Sequence, residues 1–286
     1  MKKVKSFLLK GDSNIGVLLL HGWTSPNEEL FPLAKYLNSS GYTVSAPLLL
    51  GHGTRPEDLA HVKWKDWLRQ SREALVELKK HLSLTTSPGK KSQNKNYAEI
   101  NQSKKVVRDE AKIFVGGISM GGQLAMLLAE DESVAGIFTM GAAMKYKFHR
   151  IAKVVLFFMG LTKTYRRKYY PPWVREQMKD RKVYMYYPIE SAKEVVRLSD
   201  ATMEFLPRIK KPILIMQSTT DHMVTKKSPR MIFDGVKSKT KEIFWIENAY
   251  HVFAGDKKVW KKIGEFVEEV TKTQTFQSTK IQNLLF

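Results

Sequence analysis

Ile15-Gly-Val-Leu-Leu-Leu20 contains no polar side chain, and a stripe at Leu30, Phe31, Ala34 and Leu37 follows it. A strand that is apolar at every position has no face suited to water, so it must be covered on both sides; spacings of three and four mark one face of a helix. The pairing recurs along the chain. Tyr42-Thr-Val-Ser-Ala46 precedes a long stripe through Trp64, Trp67, Leu68, Leu75, Leu78 and Leu82, and Ala111-Lys-Ile-Phe-Val115 precedes Leu124, Leu127 and Leu128. Val134-Ala-Gly-Ile-Phe-Thr-Met140, Pro212-Ile-Leu-Ile-Met216 and Glu242-Ile-Phe-Trp-Ile246 read as three more strands. Val259, Ile263, Phe266, Val267 and Val270 mark a last helix, with Asp256 as its N-cap. Strand and helix in alternation predict an α/β fold, a mostly parallel sheet flanked by helices on both faces.

Two stretches interrupt the alternation within the 286 residues, a length that suits one large domain with a small insertion. Residues 85 to 108 are polar and lysine-rich, and are expected to form a solvated, mobile surface excursion. Residues 142 to 205 interleave aromatics such as Tyr165, Tyr169, Tyr170 and Trp173 with Arg166, Arg167 and Lys168. The expected organisation is a core of residues 1–141 and 206–286 with a cap subdomain at 142–205, placed over the strand ends where open α/β sheets bind ligands.

Composition narrows the function classes. There is no cysteine, which removes disulfides and thiolate metal sites and suits a reducing cytosol. The longest apolar run, Val154-Val-Leu-Phe-Phe-Met159, falls far short of the roughly 20 residues of a transmembrane helix. Near the N-terminus the apolar run before the next lysine is only Phe7-Leu-Leu9, against about 7 to 15 residues in a signal peptide, so this segment is expected to be a first strand. The formal charge of +20 draws in anionic surfaces non-specifically, although general solubility accounts for it more simply. No zinc-finger spacing, RNA-binding aromatic signature or internal repeat is present, so no specific nucleic-acid partner and no metal or cofactor is expected.

Gly117-Ile-Ser-Met-Gly121 lies between an expected strand and an expected helix. That is the setting of a G-x-S-x-G nucleophile elbow, with glycines on both sides allowing a sharp turn that presents Ser119. A serine hydroxyl needs a base to take its proton and an acid to orient that base. Asp221 follows the strand ending at Met216, and His251 follows the strand ending at Ile246, which gives the order Ser, Asp, His with each on a loop after a strand. His222 competes for the base and Asp200 for the acid; the first adjoins Asp221 and the second precedes its strand, so neither fits as well. Attack on an acyl carbon also needs two N–H donors for the oxyanion. The backbone N–H groups of Met120, first in its helix, and of Trp23, in the loop after the Ile15 to Leu20 strand, are the candidates.

Leu18-Leu-Leu-His-Gly-Trp23, Gly51-His-Gly-Thr54, Gly117-Ile-Ser-Met-Gly-Gly122, Thr219-Thr-Asp-His-Met-Val224 and Tyr250-His-Val252 together resemble the α/β-hydrolase superfamily, and most of all its bacterial carboxylesterase and monoacylglycerol lipase branch. The resemblance runs from about residue 15 to about residue 270. It implies Ser119, Asp221 and His251 as the triad, Trp23 and Met120 as the oxyanion hole, and a small cap before the strand near 212. The lysine-rich excursion and the basic balance depart from the pattern, which leaves substrate and partners open. The expectation is a cytoplasmic, metal-free serine hydrolase of short- to medium-chain acyl esters or monoacylglycerols. An acyltransferase or thioesterase would use the same residues, and a binding module docking on anionic membrane through Arg166-Arg-Lys168 is the reading of a different class.

Overall fold

The structure, a computed structural model, describes residues 4–85, 111–144, 156, 158–159, 164–170, 172–178 and 181–284. Nine strands are described among them: β1 Phe7–Leu9, β2 Ile15–Leu20, β3 Thr43–Ala46, β4 Lys112–Ile118, β5 Val134–Met140, β6 Tyr165–Arg167, β7 Tyr186–Pro188, β8 Ile213–Ser218 and β9 Lys241–Ile246. The helices are α1 Phe31–Ser39, α2 Trp64–Thr85, α3 Met120–Leu127, α4 Pro172–Met178, α5 Ile189–Phe205, α6 Lys227–Gly235 and α7 Lys257–Leu284. Seven strands form one sheet in the order β1-β3-β2-β4-β5-β8-β9. β1 runs antiparallel to β3, and every other neighbouring pair in that sheet is parallel. The fold is the expected α/β-hydrolase architecture.

Strand order explains where a site can form. From β2 the chain moves outward to β3 on one side, whereas β4 leads toward β5, β8 and β9 on the other. Connections that leave adjacent parallel strands in opposite directions open a crevice at their carboxyl ends, and here that crevice lies past Leu20 and Ile118.

The uniformly apolar strands are covered on both faces. Val17 and Leu19 point to the side of α1 and α7, where they join Leu33, Leu37, Val259, Ile263 and Val267. Leu18 and Leu20 point to the opposite side, with Leu75, Leu78 and Leu82 of α2 and Leu124 of α3. Alternate residues thus enter separate cores, which is why no polar position interrupts β2. Asp256 caps the last helix, accepting the Lys258 N–H at 2.8 Å.

Local boundaries depart from the sequence pattern in three places. β4 continues through Gly116 and Gly117 to Ile118, paired with β2 and β5 on either side, and the Phe138 ring of β5 lies across Gly116 and takes the space a side chain would fill. The short antiparallel pair β6 and β7 stands apart from the main sheet and had no periodic signal, since three residues are too few to show one. α5 places Val195 and Leu198 in the same core as α2 and α3. The lysine-rich stretch from 85 to 108 lies outside the described residues beyond Thr85. No helix among the described residues is long and apolar enough to cross a membrane.

Phe138 is fully buried and fills the space over Gly116. Phe138→Ala is expected to lower the free energy of unfolding by about 3 to 5 kcal/mol, read as a shifted urea midpoint.

Candidate active site

Ser119 occupies the turn between β4 and α3 with φ of 51° and ψ of −110°. A non-glycine residue at positive φ costs on the order of 1 to 3 kcal/mol and persists only where its surroundings hold it. The Ser119 N–H donates to the Met140 carbonyl at 2.8 Å, which ties the turn to the end of β5. The flanking glycines permit the close descent of α3 onto β2. A methyl group on Gly121 would stand 2.0 Å from the Leu20 carbonyl oxygen, and one on Gly117 would stand 2.5 Å from the same atom. Met120 is the first residue of α3, where backbone N–H groups have no partner within the helix.

The loop after β2 passes beside this turn, and a methyl on Gly22 would lie 3.9 Å from Ser119 Cβ. His21 anchors the loop. Its Nδ1–H donates to the Gly22 carbonyl at 2.9 Å and its Nε2 accepts the Leu49 N–H at 3.0 Å, so both ring nitrogens are used only by a neutral imidazole. Burial lowers the pKa of His21 to about 4, with the Gly22 carbonyl opposing the shift. The His52 ring meets it edge-on at 4.7 Å. Burial, and then the charge that His21 would carry, hold His52 well below the ordinary histidine range.

Trp23 and Thr24 are fastened from the segment between β5 and β8. Trp23 Nε1–H donates to Ser191 Oγ at 2.8 Å, the Tyr184 N–H donates to the Thr24 carbonyl at 3.0 Å, and the Lys168 ammonium donates to Thr24 Oγ1. The Trp23 ring also meets Tyr187 edge-on at 4.6 Å.

Asp221 and His251 come together from the loops after β8 and β9. His251 Nδ1–H donates to Asp221 Oδ2 at 2.8 Å. Gln217 Nε2 donates to the same oxygen at 2.8 Å, while the Met223 and Val224 N–H groups donate to Oδ1 at 2.8 and 2.9 Å. Burial pushes the Asp221 carboxyl up, but the charge and hydrogen bond of His251 and the two backbone donors outweigh it and hold the pKa at about 2. A histidine that donates through Nδ1 to a carboxylate carries its acceptor lone pair on Nε2.

Ser119, His251 and Trp23 line one cavity of about 370 Å³, with Ile118, Val195 and Val196 in its apolar wall. The four elements that carry Trp23, Ser119, Asp221 and His251 therefore converge at the carboxyl ends of β2, β4, β8 and β9. His222 also lines the cavity, with its ring centre 6.3 Å from that of His251. Asp200 lies in α5, and the carboxylate that meets His251 is Asp221. Sequence reasoning missed Gln217; its only signal was a polar residue within a buried strand, four positions before Asp221.

The family model for serine aminopeptidase S33 matches residues 93–258, more than half of the chain. The chain belongs to that family. This S33 hydrolase is 31% identical over 243 residues to a thermostable monoacylglycerol lipase from Bacillus sp. (strain H-257), a match covering 83% of each chain. It is 28% identical over 270 residues to a carboxylesterase from Bacillus subtilis (strain 168), covering 93% of this chain and 97% of the relative. The solved structure of a metagenome-derived lipolytic enzyme superposes with a TM-score of 0.74 at 26% identity, over 95% of this chain and 99% of that one. The S33 chain is thus an enzyme, an α/β serine hydrolase of the esterase and monoacylglycerol lipase type.

Two outcomes follow for the frame of the site. Gly121→Ala would force α3 away from the Leu20 carbonyl, and is expected to lower the thermal midpoint and to remove hydrolysis together, because a backbone atom has no rotamer with which to yield. His21 has a folded-state pKa depressed from 6.5 to about 4, so its contribution is fully present above pH 6.5 and is lost as pH falls toward about 4. Urea unfolding across that window is expected to show a loss on the order of 3 kcal/mol from this group. His21→Gln, which keeps an acceptor toward Leu49 and does not titrate, is expected to flatten the slope.

Proposed function

We propose that Ser119, His251 and Asp221 form a catalytic triad that hydrolyses short- to medium-chain acyl esters or monoacylglycerols through an acyl-enzyme. The observation that carries this reading is the Asp221–His251 hydrogen bond at 2.8 Å beside a cavity that Ser119 also lines. His251 Nε2 takes the Ser119 proton as Oγ attacks the ester carbonyl, and the backbone N–H groups of Trp23 and Met120 receive the oxyanion. The alcohol leaves with the proton from His251. Water then attacks the acyl-enzyme by the same route, which frees the acid and restores Ser119. Asp221 keeps His251 in the tautomer that accepts at Nε2 and stabilises its charged form.

The segment 142–205 serves in this reading as a cap over a core of 1–141 and 206–286, with the apolar Leu156, Val174, Val195 and Val196 facing the acyl chain. The family description raises peptide hydrolysis as a second reading. An aminopeptidase must hold a protonated amino terminus, which calls for a carboxylate, and none is among the described residues lining the cavity. The ester reading is therefore favoured. The absence of cysteine supports a reducing compartment such as the cytosol.

Ser119→Ala is expected to lower kcat/KM on p-nitrophenyl esters of graded acyl length by a factor of about 10³ or more, with an unchanged thermal midpoint. Retained hydrolysis in that variant would overturn the assignment. Added alcohols or thiols that divert the acyl group from water would identify an acyltransferase on the same residues.

A further inference from the structure

Arg166, Arg167, Lys168 and Arg181 all line the cavity that holds Ser119 and His251. A neutral acyl chain or a glycerol hydroxyl gives these charges nothing to pair with. Arg181 has its own partner, donating through Nε and Nη2 to Glu29 Oε1 at 3.0 and 2.5 Å. Arg166 and Arg167 are exposed on β6 and face solvent as well as the cavity.

Lys168 differs from all three. It is half-buried, its ammonium donates to Thr24 Oγ1, and it lies 5.9 Å from the centre of the Trp23 ring. Among the described residues no carboxylate forms an ion pair with it, and Glu29, the acid nearby, pairs with Arg181. Burial lowers its pKa to about 7, the Arg181 guanidinium lowers it further, and Glu29 opposes both. A desolvated ammonium held on one hydroxyl is stabilised by any anion that reaches it. Its location is specific too. Thr24 follows Trp23, the Gly22 backbone runs beside Ser119, and Lys168 and Ser119 line one cavity, so an anion on Lys168 would share that cavity with an ester carbonyl at Ser119.

We propose that the cavity selects esters carrying a second, anionic group, a carboxylate or a phosphate, with Lys168 as the residue that binds it and Arg166 and Arg167 drawing it inward. This rests on the ester-hydrolase reading of the same site and names the substrate class within it. Long-range attraction by exposed cations raises the local concentration of an anionic substrate, and the less hydrated ammonium inside then holds it in register with the serine.

The test compares kcat/KM within two matched pairs: the p-nitrophenyl esters of glutarate and of pentanoate, and a 1-acylglycerol 3-phosphate with the monoacylglycerol of the same chain. The wild type is expected to prefer the anionic member of at least one pair by about tenfold or more, and the pair that shows it separates carboxylate from phosphate. In Lys168→Met that ratio falls by about tenfold, mainly through KM, and in Lys168→Arg it is retained. Wild-type ratios at or below one in both pairs overturn the proposal, and they do so even where Lys168→Met does not fold. An equal loss on both members of a pair in Lys168→Met also overturns it, since that is the signature of a lysine that only holds the Thr24 loop. Calorimetric titration with glutarate and with glycerol 3-phosphate needs no turnover. Binding that weakens in Lys168→Met while no ester is hydrolysed would sink the hydrolase reading and keep the anion site; serine-dependent turnover with no anion preference would do the reverse.

Discussion

The approach of α3 to the Leu20 carbonyl sets the geometry of everything around Ser119. A helix normally stands off a strand end by the thickness of its side chains, and here Gly117 and Gly121 remove that thickness where the two meet. With α3 so close, the turn at Ser119 must take positive φ, and its N–H is held by Met140 on the next strand. The same closeness brings the start of α3 alongside the loop at Gly22 and Trp23. In the proposed mechanism, this closeness lets the N–H groups of Met120 and Trp23 serve one oxyanion.

The second support comes from the opposite direction. Lys168, Tyr184 and Ser191, all between β5 and β8, hold Trp23 and Thr24 through side-chain and backbone hydrogen bonds. His21 and His52 hold the same loop from beneath as a neutral buried pair. The loop after β2 is thereby fixed from both sides, and in the proposed mechanism its donor does not have to be reoriented as charge develops on a substrate. Charge is distributed unevenly around the cavity: the Asp221 carboxylate is buried and hydrogen-bonded behind His251, while Arg166, Arg167, Lys168 and Arg181 line the cavity itself. An anionic group entering the cavity would find its ionic partners among those cations.

Much of the sheet was legible because parallel strands covered on both faces are apolar along most of their length, as β2, β5 and the Ile213 to Met216 part of β8 are, and because the helices between them carry regular stripes. Ser119, Asp221 and His251 could be picked out since each follows a strand with a clear apolar signal, and the side of the sheet on which each loop opens follows from strand direction alone. β6 and β7 were illegible for the opposite reason: each is three residues long and mostly exposed, Tyr-Arg-Arg and Tyr-Tyr-Pro, and their pairing joins Tyr165 to Pro188 across twenty-three positions of sequence. The roles of Gln217 and Lys168 were not legible either, although one stood out as a polar residue in an apolar strand and the other in a basic run, since what matters about each is a neighbour distant in the chain or a degree of burial that no local pattern encodes.

The amino-acid sequence by itself determined the α/β alternation, the sharp turn at Ser119 and the order in which serine, aspartate and histidine leave their strands, because periodicity, glycine spacing and strand ends are properties of neighbouring residues. Tertiary structure alone decided that β2 and β4 diverge to open the crevice, that His21 is a neutral anchor instead of a chemical group, and that Lys168 stands desolvated beside Trp23. Those three depend on which distant segments exclude water from a given atom. Exclusion of water is set by packing across the whole chain, and no short window of sequence contains it.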